Sequence, residues 1–63
     1  MKYRIKEFRE EKRMSQEDLS KRAEVSRSII SGLESGAITV TTTSTLSKIA
    51  RALEKKVSDI FLD

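Results

Sequence analysis

Between Ser15 and Gly36 the chain reads SQEDLSKRAEVSRSIISGLESG, a pattern that fits two short helices joined by a tight turn. Ser15 is a good helix N-cap. Gln16, Glu17 and Asp18 follow it, so acidic groups sit in the first turn, where the helix dipole favours them. Leu19 and Ala23 are four apart and share one helix face. Glu24-Val25 breaks the pattern. Ser26 then caps a second helix, with Ile30 and Leu33 facing inward and Gly36 closing its end. Ser28, Ser31 and Gly32 point away from the Ile30/Leu33 side, with Arg27 at the leading edge of that face. A helix with a small, hydroxylic outer face and an arginine near its start is suited to a DNA major groove.

The flanks are helical too. Ile5 and Phe8, three apart, give a narrow apolar stripe within KYRIKEFREEKR, and Met14 closes this first helix inward. Arg9 lies one turn after Ile5 and beside Phe8, so it is drawn towards the core. The loop Ala37-Ile38-Thr39-Val40-Thr41 is apolar and β-branched, a poor helix former. Ile38 and Val40 are expected to alternate inward. Thr42 is the expected N-cap of a fourth helix. The run Thr41 to Thr45 could be low complexity, but its place before a periodic apolar segment favours capping. Leu46, Ile49, Ala50 and Leu53 follow the amphipathic spacing i, i+3, i+4, i+7, and Lys55 and Lys56 are expected to end the helix. Val57, Ile60 and Phe61 are expected to form a last short helix.

With 63 residues the chain has room for one domain, spanning 1–63. A domain of ~60 residues buries only ~60% of its unfolded surface, and no cysteine is present to staple it. Local helical packing must hold it. The lack of proline and the presence of only Gly32 and Gly36 favour an all-helical chain with short connections. A net charge of +3 fits a polyanionic partner. Met1-Lys2-Tyr3 leads directly into a charged helix, and no apolar run is long enough to span a membrane, so an intracellular, cytoplasmic protein is expected.

Catalysis is poorly provided for. Without histidine or cysteine the chain lacks the commonest general base, the thiol nucleophile and most transition-metal ligands. Glu10-Glu11 and Glu17-Asp18 are adjacent in sequence and diverge around a helix, so neither pair makes a catalytic dyad. There is no glycine-rich phosphate loop. No enzyme, metal or cofactor is expected.

Taken together, Ser15-Gln16-Glu17-Asp18-Leu19, Val25-Ser26-Arg27-Ser28, Ile30-Ser31-Gly32-Leu33-Glu34-Ser35-Gly36, Leu46-Ser47-Lys48-Ile49-Ala50-Arg51-Ala52-Leu53 and Val57-Ser58-Asp59-Ile60-Phe61 resemble the Cro and phage-repressor type (XRE-like) of helix-turn-helix DNA-binding domain. The resemblance implies an all-α, compact five-helix, lambda-repressor-like fold. It implies a sequence-specific regulator of transcription, a repressor by occlusion, acting as a homodimer on paired half-sites of double-stranded DNA. Carried over from the family, Arg27 and Ser28 read base edges, with Ser31 and Gly32 on the next outward turn. Gln16 matches the family's phosphate-contacting glutamine. The family often places basic residues in the loop after the recognition helix. This chain has none between Ser35 and Leu46, so Thr39, Thr41 and Thr43 are the expected substitutes. The family arginine at Arg9 pairs with the glutamate at Glu34. Two positions depart from the pattern. Glu24 stands where Gly or Asn is common, at a left-handed turn, and Gly32 stands where a long polar side chain is common. Leu62 is a candidate dimer contact. The competing reading is an antitoxin or other protein-interaction module, with a protein partner in place of DNA.

Overall fold

A computed structural model describes residues 3–60. Five helices follow in order: α1 Ile5–Glu11, α2 Gln16–Ala23, α3 Arg27–Ser35, α4 Thr43–Ala52 and α5 Val57–Ile60. Three of them start on side-chain caps. The Ser15 hydroxyl accepts from the Asp18 N–H at 3.0 Å, while the Asp18 carboxylate accepts from the Ser15 N–H at 3.0 Å, a reciprocal capping box. Ser26 accepts from the Ile29 N–H, and Thr42 accepts from the Thr45 N–H.

Every helix contributes to one core. Ile5, Leu19, Ile30, Ile49 and Ile60, one from each helix in turn, are fully buried, as is Leu53 just beyond α4. Around them Phe8, Met14, Ala23, Val25, Leu33 and Ala50 complete the cluster. α2 packs against both α3 and α4, α1 against α3, and α5 against α4. The two ends of the described chain meet where the Arg4 N–H donates to the Ile60 carbonyl at 2.7 Å. No helix among the described residues is long and apolar enough to cross a membrane.

The chain reverses at four left-handed residues. Gly36 (φ 88°) ends α3, as its lack of a Cβ allows. The other three carry side chains: Arg13 (φ 56°), Glu24 (φ 57°) and Glu54 (φ 58°). Glu24 is therefore left-handed as the resemblance implied, without the glycine or asparagine that would relieve it.

Two expectations are corrected. Val40 is not turned inward; it is 84% exposed. Alternation requires an extended chain lying along a surface, and Val40 stands off just past the point where the Tyr3 hydroxyl holds the Thr39 carbonyl. Lys55 and Lys56 do not end α4, which closes at Ala52. The chain turns back through left-handed Glu54, and the Lys55 N–H donates to the Ala50 carbonyl at 2.9 Å. The Lys55 ammonium then lies 4.7 Å from the centre of the Phe8 ring, a cation–π contact. Phe61 and Leu62, read as a core residue and a dimer contact, lie outside the described residues.

Candidate nucleic-acid interface

The outer surface of α3 follows from what its inner surface must bury. Ile30 and Leu33 are 0% and 2% exposed, and Ile29 is half-buried against the core rather than presented outward. That leaves Arg27, Ser28, Ser31 and Ser35 exposed. Arg27, Ser31 and Ser35 recur every four residues along one line. They share a shallow hollow with Gln16 at the head of α2 and with Gly32 and Ala37. Ser35 belongs to this stripe although the sequence reading did not single it out; its spacing from Arg27 and Ser31 was the available signal. Its hydroxyl also closes the helix, donating to the Gly32 carbonyl and accepting from the Ala37 N–H, each at 3.3 Å.

The angle between α2 and α3 is held by the turn between them. The Ser20 carbonyl accepts from the N–H groups of both Glu24 and Val25. The Ser20 hydroxyl donates to the Val25 carbonyl at 2.7 Å. Ala23 and Val25 are buried on either side of left-handed Glu24, so the turn is anchored by its neighbours.

Behind the hollow lies a charged network. Arg9 Nε donates to Glu34 Oε2 at 2.8 Å and Nη2 to Oε1 at 3.1 Å, a bidentate pair. A third bond runs from Arg9 Nη1 to the Met14 carbonyl at 2.6 Å. The two side chains are 11% and 5% exposed. Hydrogen bonding to Glu34 holds the guanidinium pKa above its ordinary value, overcoming the opposing effect of burial. Gln16 joins from the front: its amide nitrogen donates to Glu34 Oε1 at 3.0 Å. Because a carboxylate can only accept, the amide must turn its NH₂ towards Glu34. One of the two amide hydrogens is used there.

Thr39 and Thr43 are exposed, and Thr41 is half-buried. The Thr39 carbonyl accepts from the Tyr3 hydroxyl at 2.9 Å, which ties the N-terminal segment to this loop. Gly32 lines the hollow, but its side-chain direction is taken: a Cβ there would lie 2.5 Å from Ile38 Cδ1. A substituent at 32 would thus meet the Ile38 side chain of the loop. Elsewhere among the described residues the cations are exposed, apart from Lys55 against Phe8. Lys12 pairs with Glu54 at 3.3 Å and Lys21 with Glu17 at 3.6 Å, exposed pairs that contribute little.

A helix-turn-helix family model matches residues 5–60, which takes in all five helices. The chain belongs to the XRE-type helix-turn-helix DNA-binding family. It is 44% identical over 62 residues to a protein of Archaeoglobus fulgidus described as an uncharacterised HTH-type transcriptional regulator, covering 98% of this chain and 86% of that one. Among solved structures it resembles SinR, described as the master regulator for biofilm formation, in complex with DNA. The TM-score is 0.84 at 33% identity, with 87% of each chain covered. The N-terminal DNA-binding domain of SinR from Bacillus subtilis matches with a TM-score of 0.84 at 33% identity, covering 87% of this chain and 80% of that one. A complex of SinR with SinI matches with a TM-score of 0.82 at 33% identity, over 86% of this chain and 52% of that one. Family and fold are those of DNA-binding regulators, which are not enzymes.

Proposed function

We propose that this chain binds double-stranded DNA sequence-specifically and regulates transcription, as a repressor that occludes its site and acts as a homodimer. The observation that carries the reading is the exposed stripe of α3. Arg27 and its serine neighbours have no core task, since Ile30 and Leu33 already hold the inner face. Arg27 is assigned to guanine, whose O6 and N7 accept two parallel hydrogen bonds from a guanidinium. Ser28 and Ser31 are assigned to neighbouring base edges, where a hydroxyl can donate or accept. Gln16 and the free N–H groups at the start of α2 are assigned to phosphate, as are Thr39, Thr41 and Thr43. Dimerisation follows from reach: one domain of this size covers only a few base pairs, and two-fold partners on paired half-sites extend the sequence that is read.

The test is selection of bound duplexes from random DNA, followed by titration at several salt concentrations. The duplex backbone is a polyanion and each protomer carries a net charge of +3, so affinity should fall several-fold or more between about 50 and 200 mM salt. No binding to any duplex at low salt, or affinity that ignores salt, would overturn the reading.

A further inference from the structure

Gly32 lies inside α3, where glycine is the weakest ordinary helix former, so its presence there has a structural reason. A Cβ at this position would lie 2.5 Å from Ile38 Cδ1, 2.6 Å from Cγ1 and 3.4 Å from Cβ. The isoleucine side chain occupies the volume that any other residue at 32 would need. The same two residues are joined through the backbone, where the Ile38 N–H donates to the Gly32 carbonyl at 2.9 Å. One residue on, the Tyr3 hydroxyl holds the Thr39 carbonyl at 2.9 Å. The loop 37–41 is thus keyed into α3 on one side and latched by the N-terminal segment on the other.

This rigidity matters because the loop has no cations. A lysine could reach a phosphate across several ångströms, whereas a threonine hydroxyl or a backbone N–H acts only at ~3 Å. Neutral donors need a backbone that is already in place, since ordering a loop on binding costs affinity. We infer that Gly32 and Ile38 are positioning residues: a socket and key that hold loop 37–41 at a fixed offset from the Arg27 stripe, so that its donors meet the phosphates beside the bases being read. The inference rests on the DNA-binding reading.

The experiment titrates wild type, Gly32→Ala, Ile38→Ala and the double variant against the selected duplex and a scrambled one, with salt slopes and melting curves. Gly32→Ala should lose about three- to tenfold in affinity, the equivalent of one or two hydrogen bonds, equally on both duplexes. Its salt slope should stay that of the wild type, because the donors lost are neutral and release no counterions, and the circular dichroism should be retained. In the Ile38→Ala background the same change should cost much less, because the clashing side chain is gone. Ile38→Ala adds no atom to α3, and it too should weaken both duplexes with an unchanged slope. Wild-type affinity in both single variants would overturn the inference. A loss confined to the selected duplex would make Gly32 a base contact, and equal losses in both backgrounds would separate it from Ile38. If the wild type binds no duplex at all, the DNA-binding reading fails first.

Discussion

Removing Arg9 should come close to unfolding this domain. At ~0.05–0.15 kcal/mol per residue, a chain of 63 residues has a stability of roughly 3–9 kcal/mol. Arg9 makes three hydrogen bonds, two to Glu34 and one to the Met14 carbonyl, and joins α1 to α3. Arg9→Ala leaves the Glu34 carboxylate, 5% exposed, with only the Gln16 amide as donor. Breaking a buried pair by deleting one partner costs about 3–5 kcal/mol, from about a third of that total to all of it. Glu34→Ala should cost a comparable amount, because it strands the guanidinium with the Met14 carbonyl alone. The melting temperature should fall by ~15 °C or more in each single variant, at ~4–8 °C per kcal/mol for a domain of this size. Urea titrations followed by circular dichroism measure both, and the double variant closes the cycle. The combined loss should fall short of the sum by about 1–3 kcal/mol, since either change alone already breaks the pair. Replacing both at once by Arg9→Met and Glu34→Leu should be far milder than either single truncation, because no charge is left buried. Losses that add to within ~0.5 kcal/mol would show that the pair is not coupled and refute the reasoning.

Other consequences can be measured on the same preparations. Glu24→Gly and Arg13→Gly should each raise stability by up to ~1 kcal/mol: relief of a left-handed side chain, ~1–2 kcal/mol, exceeds the extra chain entropy of glycine. A lower melting temperature in either would contradict the left-handed assignment. Hydrogen bonding from the Ser15 N–H, aided by the Ser15 hydroxyl, holds the Asp18 carboxyl below its ordinary pKa. A depressed pKa means that the capping box stabilises the fold above the ordinary carboxylate range of about 4 and loses that contribution as pH falls through the folded value. Asp18→Asn should therefore show a weaker loss of stability than wild type on acidification from neutral pH, and parallel curves would rule the capping box out as the cause.

The parts of the fold that were legible in the sequence are those set by local chemistry. Ser15, Ser26 and Thr42 stand before helical patterns and cap them, because a hydroxyl at that place has a single nearby use. Arg9 falls on the Ile5/Phe8 side by helical spacing, and burial then requires a partner. What escaped depends on the path of the backbone between elements. Nothing in the residues Arg13 and Glu54 announces a left-handed conformation; each is imposed by helices packing on both sides. The Ser20 hydroxyl reaches the Val25 carbonyl only once the turn has formed. Gly32 looked like an open place on an outward face, whereas Ile38, six positions later, folds back over it. On the candidate interface, the exposure of Arg27, Ser28 and Ser31 was readable as whatever remains of α3 after its inner side is assigned. Gln16 was readable by position alone; its bond to Glu34, which fixes the direction of its amide, was not.

Arg27 carries the central claim, that α3 reads sequence, and its truncation tests that claim most directly. Arg27 is exposed, so Arg27→Ala should leave the melting temperature nearly unchanged. Gln16→Ala serves as the comparison, and both variants are titrated against the selected duplex and a scrambled duplex at one salt concentration. The account predicts that Arg27→Ala loses about 1–3 kcal/mol on the selected duplex and far less on the scrambled one, with preference relaxed at one base pair per half-site. Gln16→Ala should weaken both duplexes about equally. Equal losses on both duplexes for Arg27→Ala would make that arginine a phosphate contact and place sequence reading elsewhere. Unchanged DNA binding in both variants, with binding to a protein partner lost instead, would contradict the account and favour a protein-interaction module.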